Sequence, residues 1–351
     1  AEACALVYSF DVEDHEGELG AISALAGIAP LTLYRHVNDL QQRGLAQRRG
    51  KWRAILPHAI ANPLAARALD SIPLALLHAK LVAPQGRLLR SFSRRLGYLH
   101  TSPSAEKFAN SWLAEGGLLG DVASLSPFLL DVLCNIAPVS PAGTLSAIKR
   151  AVEGPAAAEL LSAKAPSRTR FVRLVRSIAY EAKYFDECLA VLVAFARTEA
   201  EDERMDPTRS VIASLFTLYL SGTHATTKQR ADWIRGALES GDAVRGEIGL
   251  KALSASMEAY HFSSSFEFDF GARVRDYGFT PRGNAIRDWF ATFLNLTAEV
   301  ATGSGPWVSE ARDLLARSFR PLWSNARMAD VLEPVVDRLV DSGWERGWLA
   351  I

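Results

Sequence analysis

From about residue 62 onward, apolar residues recur at helical spacing, as in Phe171, Leu174, Val175 and Ile178 or Leu314, Leu315, Phe319 and Leu322, and the two-residue alternation of a half-buried strand is essentially absent. A chain patterned in this way must bury helical stripes against other helices, which predicts a mainly α protein. Helix starts are expected where a capping residue precedes proline, at Ser126-Pro127, Ser140-Pro141, Asp206-Pro207 and Thr280-Pro281, because the fixed φ of proline suits the first turn. Apolar faces too wide for a single partner predict helix pairs stacked as an α-solenoid, a helical repeat array of the HEAT or armadillo kind, over residues 63–351. With 351 residues, 49% of them apolar, the chain has material for two or more packed units.

Residues 1–62 carry a different pattern. A short helical run (Leu19, Ile22, Leu25), a turn at Gly27-Ile28-Ala29-Pro30 and a second helix from Thr32 to Arg43 make a helix-turn-helix. In the second helix Leu33, Val37 and Leu40 fall at i, i+4 and i+7 and face a core, while Arg35, His36, Asn38, Asp39 and Gln42 point outward and Gly44 ends the helix. Gln47 to Leu56 follows as two short extended runs around a glycine, the outline of a hairpin wing. Residues 1–62 are therefore expected to form a winged-helix domain.

Lysine plus arginine and aspartate plus glutamate both number 39, so any charge signal must be local. It lies in the wing and the helix before it, where Arg35, Arg43, Arg48, Arg49, Lys51 and Arg53 stand against Asp39. Arg35, Arg48, Arg49, Lys51 and Arg53 are the candidates for holding a DNA duplex, with the second helix in the major groove and the wing on the phosphates. The alternative is a protein-interaction or nucleotide-sensing module whose arginines pair with acidic neighbours. The acidic run Glu13, Asp14, Glu16 and Glu18 weakens the electrostatic case for DNA.

Catalytic signatures are missing. The sequence has no glycine-rich phosphate loop, dinucleotide fingerprint, Gly-x-Ser-x-Gly elbow, His-Glu-x-x-His or paired-cysteine zinc pattern, so nothing in it argues for an enzyme or a metal. Cys4, Cys134 and Cys188 are far apart and set in apolar helical patterns, which fits reduced core thiols and the cytosol. No stretch approaches the roughly 18 apolar residues of a spanning helix. Glu2, Asp11, Glu13 and Asp14 stand where a signal peptide would be basic, so a cytoplasmic location off the membrane is expected. The opening Ala1-Glu2-Ala3-Cys4 sits inside an apolar segment and reads as cut from something longer.

Two further features stand out. His261 to Pro281 alternates Phe262, Phe266, Phe268, Phe270 and Tyr277 with polar residues and glycines; it is either a recognition insertion anchored by aromatics and Arg273/Arg275, or a long connection packing its phenylalanines on adjacent helices. Trp289 and Trp323 fall on helical apolar faces and are expected in the core, whereas Trp344 and Trp348 are candidates for a covered surface near the end.

Directly after the wing, Ile55-Leu56-Pro57-His58-Ala59-Ile60-Ala61 is a strand end leading into a helix through a histidine. A winged helix joined in this way to a helical repeat array resembles the region C-terminal to the ATPase core of STAND-type signalling NTPases, the group of NACHT and NB-ARC proteins. In that family a Met-His-Asp motif at the junction touches the β-phosphate of bound ADP and holds a closed resting state. His58 matches the histidine, while Pro57 and Ala59 stand where the family has methionine and aspartate.

The resemblance implies a non-catalytic regulatory part of a STAND-like ATPase, sharing ADP or ATP with an upstream ATPase domain of the same chain. A protein or other ligand would be sensed on the solenoid, in signalling or anti-phage defence. The alternative from another class is a winged-helix DNA-binding transcriptional regulator with a helical ligand- or partner-sensing domain. A third is a scaffold whose concave face binds another protein.

Overall fold

The computed structural model describes residues 1–199 and 207–344, and over these the protein is mainly helical with one small sheet. It forms two compact units, residues 1–151 with 269–274 and residues 152–268 with 275–351.

The first unit runs α1 (Glu2–Ala5), β1 (Phe10–Asp11), α2 (Glu18–Ala26), α3 (Pro30–Gln42), β2 (Ala46–Arg49), β3 (Trp52–Ile55), α4 (His58–Ser71), α5 (Leu74–Leu77), a π-helical turn (His78–Val82), α6 (Arg87–Leu96), α7 (Pro103–Leu113), α8 (Pro127–Ile136) and α9 (Pro141–Glu153). Gly27, with a φ of 66°, closes α2, and Pro30 opens α3 at a position where its missing N–H costs nothing. Leu33 and Val37 of α3 are buried as their spacing requires; Leu40 is half-buried, and Arg35, His36, Asp39 and Gln42 are exposed.

The sheet has the antiparallel order β1-β3-β2, with Phe10 opposite Arg53, Ala46 opposite Ile55 and Arg49 opposite Trp52. Its period of two buries Ala46 and Ile55 and puts Gln47, Arg49, Trp52 and Ala54 together on the other face. The residue 62 boundary expected from the sequence lies inside α4, a continuous helix whose Ala61, Ala65 and Ala68 are buried and allow the small residues of α1 to approach closely. Farther along, Phe92, Phe108 and Trp112 meet edge to face at 5.2–6.0 Å and fill the core around α6 and α7. Residues 269–274 complete this unit, with Phe270 buried and Arg273 Nε donating to Pro138 O at 2.6 Å.

The second unit contains α10 (Ala157–Leu161), α11 (Arg168–Ile178), α12 (Phe185–Arg197), α13 (Thr208–Ser214), α14 (Thr227–Leu238), α15 (Ala243–Ser256), α16 (Asn284–Thr302), α17 (Val308–Ser324) and α18 (Ala329–Asp341). Neighbours in sequence are neighbours in space: α11 packs on α12, α12 on α13, α14 on α15, and α16 on both α17 and α18. Phe171, Phe185, Phe195, Phe216, Trp289 and Phe293 are fully buried between them.

Several local expectations need correction. Ser126 and Ser140 do accept first-turn N–H bonds, from Leu129 and Gly143, but no helix starts at Thr280-Pro281; α16 begins at Asn284, because Phe279 is first tied back to Thr223 by a backbone bond of 2.7 Å. Asp206 lies outside the described residues, and α13 starts just after Pro207. Trp289 is core, yet Trp323 is 44% exposed and stacks on Phe319 of its own helix at 5.8 Å. Trp344 is half-buried with Arg312 over its ring, and Trp348 lies outside the described residues. Cys4 and Cys188 are buried free thiols, whereas Cys134 is only half-buried.

The aromatic segment docks by its rings. Phe262 meets Tyr219, Phe268 meets Tyr277, Phe279 stacks on Trp289, and the Arg176 guanidinium sits 3.9 Å over Phe266. Gly278, with a φ of 87°, is required there, since a Cβ would fall 2.4 Å from the Thr223 backbone nitrogen.

Candidate functional site

His58 is the first residue of α4, delivered there by β3, and it is half-buried. Its ring stacks on Tyr98 at 5.2 Å and 7°, with Tyr8 at 5.5 Å on the segment between α1 and β1. Arg95 of α6 lies behind it, 0% exposed, and reaches His58 Nδ1 at 3.2 Å and Asn62 Oδ1 at 2.7 Å through the same Nη1. A guanidinium has only donors, so Nδ1 must accept and the proton of the neutral imidazole sits on Nε2. Among the described residues no acceptor meets that Nε2.

Burial holds the His58 pKa below its ordinary value, and the charges of Arg95 and Arg94 push in the same direction, so the ring is neutral near pH 7. Burial also brings Arg95 down to about 10, which leaves it cationic, and its Nε and Nη2 find no partner among the described residues. Arg94 stacks on Tyr8 at 3.8 Å. Among the described residues this corner is a neutral N–H donor flanked by two guanidiniums without a carboxylate, an arrangement that suits a phosphate oxygen. The residues therefore fit an ADP phosphate chemically.

The basic residues of α3 and the hairpin are not equivalent. Arg35 is exposed on the outer face of α3, and Arg48 and Arg49 are exposed on β2. Lys51 pairs with Asp11 of β1 at 2.8 Å. Burial works to raise the Asp11 pKa, but Lys51 and the backbone N–H groups of Glu13 and Asp14 outweigh it and hold the carboxyl below the usual range. Arg53, placed on an outward wing by the sequence, is only 3% exposed: the antiparallel register sets it opposite Arg48, and its Nη1 folds back onto Gly50 O at 2.8 Å and Trp52 O at 3.1 Å. The structure thus brings His58 together with residues that sequence reasoning did not select, namely Tyr8, Arg94, Arg95 and Tyr98, and leaves Arg35 exposed, Lys51 paired and Arg53 buried. A signal was available in α6, whose sequence RLLRSFSRRL repeats arginine at a helical interval.

Arg87, at the start of α6, is the other residue missed. Its Nε donates to Glu18 Oε1 at 2.7 Å, its Nη2 to Ser9 O at 2.9 Å, and its plane covers the Trp52 ring at 4.2 Å. Glu18 is thus engaged by Arg87 and by the backbone N–H of Asp11, and it no longer opposes the hairpin arginines as a free charge.

Among the described residues no group of histidine, cysteine and carboxylate side chains could hold a metal, and no helix is long and apolar enough to cross a membrane. Comparison with known proteins finds no matching family model, curated protein or solved structure.

Proposed function

We propose that this chain is the non-catalytic regulatory and sensing part of a STAND-like ATPase, working in the cytoplasm in signalling or defence. A winged helix over residues 1–62 couples the nucleotide state of an upstream ATPase domain to a helical-repeat recognition region. The observation that carries it is the His58 corner: a neutral imidazole with Nδ1 tied to Arg95 and Nε2–H free to donate, beside uncompensated guanidinium charge. Helix α2, helix α3 and the β2–β3 hairpin have the element order of a winged helix, and the sequential packing from α11 to α18 is of the kind that stacked helix pairs make.

When nucleotide is bound, its phosphate supplies the negative charge that this corner lacks. His58 then donates through Nε2, and Arg95 keeps that tautomer in place. Loss of this bond on exchange of nucleotide removes one differential contact favouring the closed arrangement, and a ligand on the repeat region biases the same equilibrium.

The test has two arms. The purified chain should hydrolyse no ATP above a blank, and the full parent protein carrying His58→Ala should retain less ADP through purification than the wild type. Sustained turnover by the chain alone, or ADP retention unchanged in the variant, overturns the proposal.

A second reading, duplex binding by a transcriptional regulator, draws on one observation: the outer face of α3, with Arg35, His36, Gln42 and Arg43, is exposed, as are Arg48 and Arg49. With Lys51 paired and Arg53 buried it commands fewer phosphate contacts than the sequence promised. Absence of duplex binding at low salt removes it.

A further inference from the structure

In the second unit one face of α12 lines a groove of about 700 Å³, with Gln229 and Trp233 of α14 across from it and Arg245 of α15 in the same wall. Asp186, Ala190, Val193, Ala194 and Arg197 share that face because they fall at i, i+4, i+7, i+8 and i+11. Ala190 is exposed and Ala194 half-buried, so their small side chains leave room above the helix. Trp233 rests on the buried Phe216 at 5.2 Å, which sets the facing wall before any ligand arrives. The groove is of the size that ligand sites have.

Most of the charge in this groove cancels. Lys228 pairs with Asp232 four residues on, and Arg197 pairs with Asp242, the N-cap of α15. Two charges of opposite sign remain. Asp186 accepts from the neutral amide of Gln229 at 2.8 Å and meets no cation among the described residues. Arg245 is half-buried, and its guanidinium has no partner among the described residues. The two stand at opposite ends: Asp186 is in the first turn of α12, whereas Arg245 lies one turn beyond the Asp242 that holds Arg197, the last residue of α12. A rise of about 1.5 Å per residue puts Asp186 and Arg197 about 16 Å apart along the helix.

We propose that this groove binds an extended peptide of about four or five residues, with its ammonium group on Asp186 and its terminal carboxylate on Arg245. The ligand must carry both signs of charge, because an anion or a cation alone would set a like charge against Asp186 or Arg245. It must also be long. A free amino acid holds both charges on one Cα and reaches a single end, whereas an extended chain gains about 3.3 Å per residue and reaches both. Between the ends the peptide backbone passes over Ala190 and Ala194, and its side chains meet Val193 and the ring of Trp233. As the sensed ligand of the repeat region the peptide rests on the proposed function, whereas its binding to the chain does not, since every contact comes from α12, α14 and α15.

The experiment is equilibrium dialysis of the chain against a pool of synthetic pentapeptides Ala-X-X-X-Ala with free termini, read by mass spectrometry, using the wild type, Asp186→Asn, Arg245→Ala and Arg43→Ala. Peptides that the wild type retains should bind about tenfold or more weakly to Asp186→Asn and to Arg245→Ala, the loss expected for one charge-assisted contact. Arg43→Ala, in the first unit, should change little, and far-UV circular dichroism checks that each variant keeps its fold. Acetylating the peptide amino terminus should weaken binding to the wild type but add little in Asp186→Asn, and amidating the carboxyl terminus should stand in the same relation to Arg245→Ala. The blocked peptides probe each end on the wild type alone, so the test does not depend on a variant folding. No retained peptide, a blocked terminus that binds as tightly as a free one, loss confined to one of the two groove variants, or equal loss in Arg43→Ala overturns the inference. ADP retention by the parent protein tests the proposed function separately and is untouched by any of these results.

Discussion

Arg230 in the second unit and Arg95 in the first are equally buried and use their donors differently. In the second unit Arg230 is 0% exposed, yet its guanidinium donates to Thr217 O, Thr223 O and Ser221 Oγ, with the Trp289 ring at 5.0 Å. Arg176, also buried, donates to Ser214 Oγ and Ser221 O. These cations staple the irregular chain between α13 and α14, whose carbonyls have no helix to satisfy them. Burial lowers Arg230 to about 9 and Arg176 to about 10, and both remain charged. In the first unit Arg95 is as deeply buried but uses one nitrogen, shared between His58 and Asn62, and leaves two others idle. Arg230 places both terminal nitrogens on oxygens of that segment and leaves only Nε without a partner among the described residues, so it is architecture. Arg95, 0% exposed, instead sets an uncompensated positive charge behind His58 and the Tyr8 ring.

The largest effect should therefore come from Arg230. Replacing it by methionine strands two carbonyls and a hydroxyl in the core and should cost on the order of 3–5 kcal/mol, read by urea unfolding of the chain. A loss below about 1 kcal/mol would break the contrast, because it would make this cation as dispensable as the other.

Arg95→Met should cost no more than about 1–2 kcal/mol, since an apolar side chain of similar volume removes a buried charge that no carboxylate compensates. Because Arg95 and burial both hold the His58 pKa down, the same variant should titrate His58 closer to its ordinary value, as followed by its ring proton NMR signals. A His58 midpoint that stays put would mean that burial and the Arg94 charge set it without Arg95.

The smallest effect is on pH. His58 in the folded protein has a pKa below that of the unfolded chain, so as pH falls the unfolded state takes up its proton first. The stability owed to neutral His58 is complete above the unfolded value, roughly 6.5, and drains away as pH drops through the folded one. The chain should melt at a lower temperature at pH 5.5 than at pH 7.5, and His58→Gln should narrow that gap. An unchanged gap in the variant would assign the acid sensitivity to other groups.

Much of the secondary structure was legible in the residues. Leu33 and Val37 fixed the buried face of α3, the glycine at position 50 fixed the hairpin turn, and Ser126-Pro127 marked a helix start, because each depends on neighbours within a few positions. Strand β1 was not legible: two residues, Phe10 and Asp11, carry no period and pair only because β3, forty residues later, offers its free edge.

The site divides along the same line. The sequence determined by itself that the protein is mainly helical, that His58 stands where a strand enters a helix, and that positive charge gathers around the hairpin, since these are properties of composition and short spacing. Only the tertiary structure decided what the charges meet. It gave Lys51 to Asp11, turned Arg53 back onto its own hairpin, and carried Arg87, Arg94 and Arg95 of α6 to Trp52, Tyr8 and His58, all distant in sequence. The physical reason is that a Coulombic or hydrogen-bonded partner acts over a few ångströms of space, which a sequence separation does not specify.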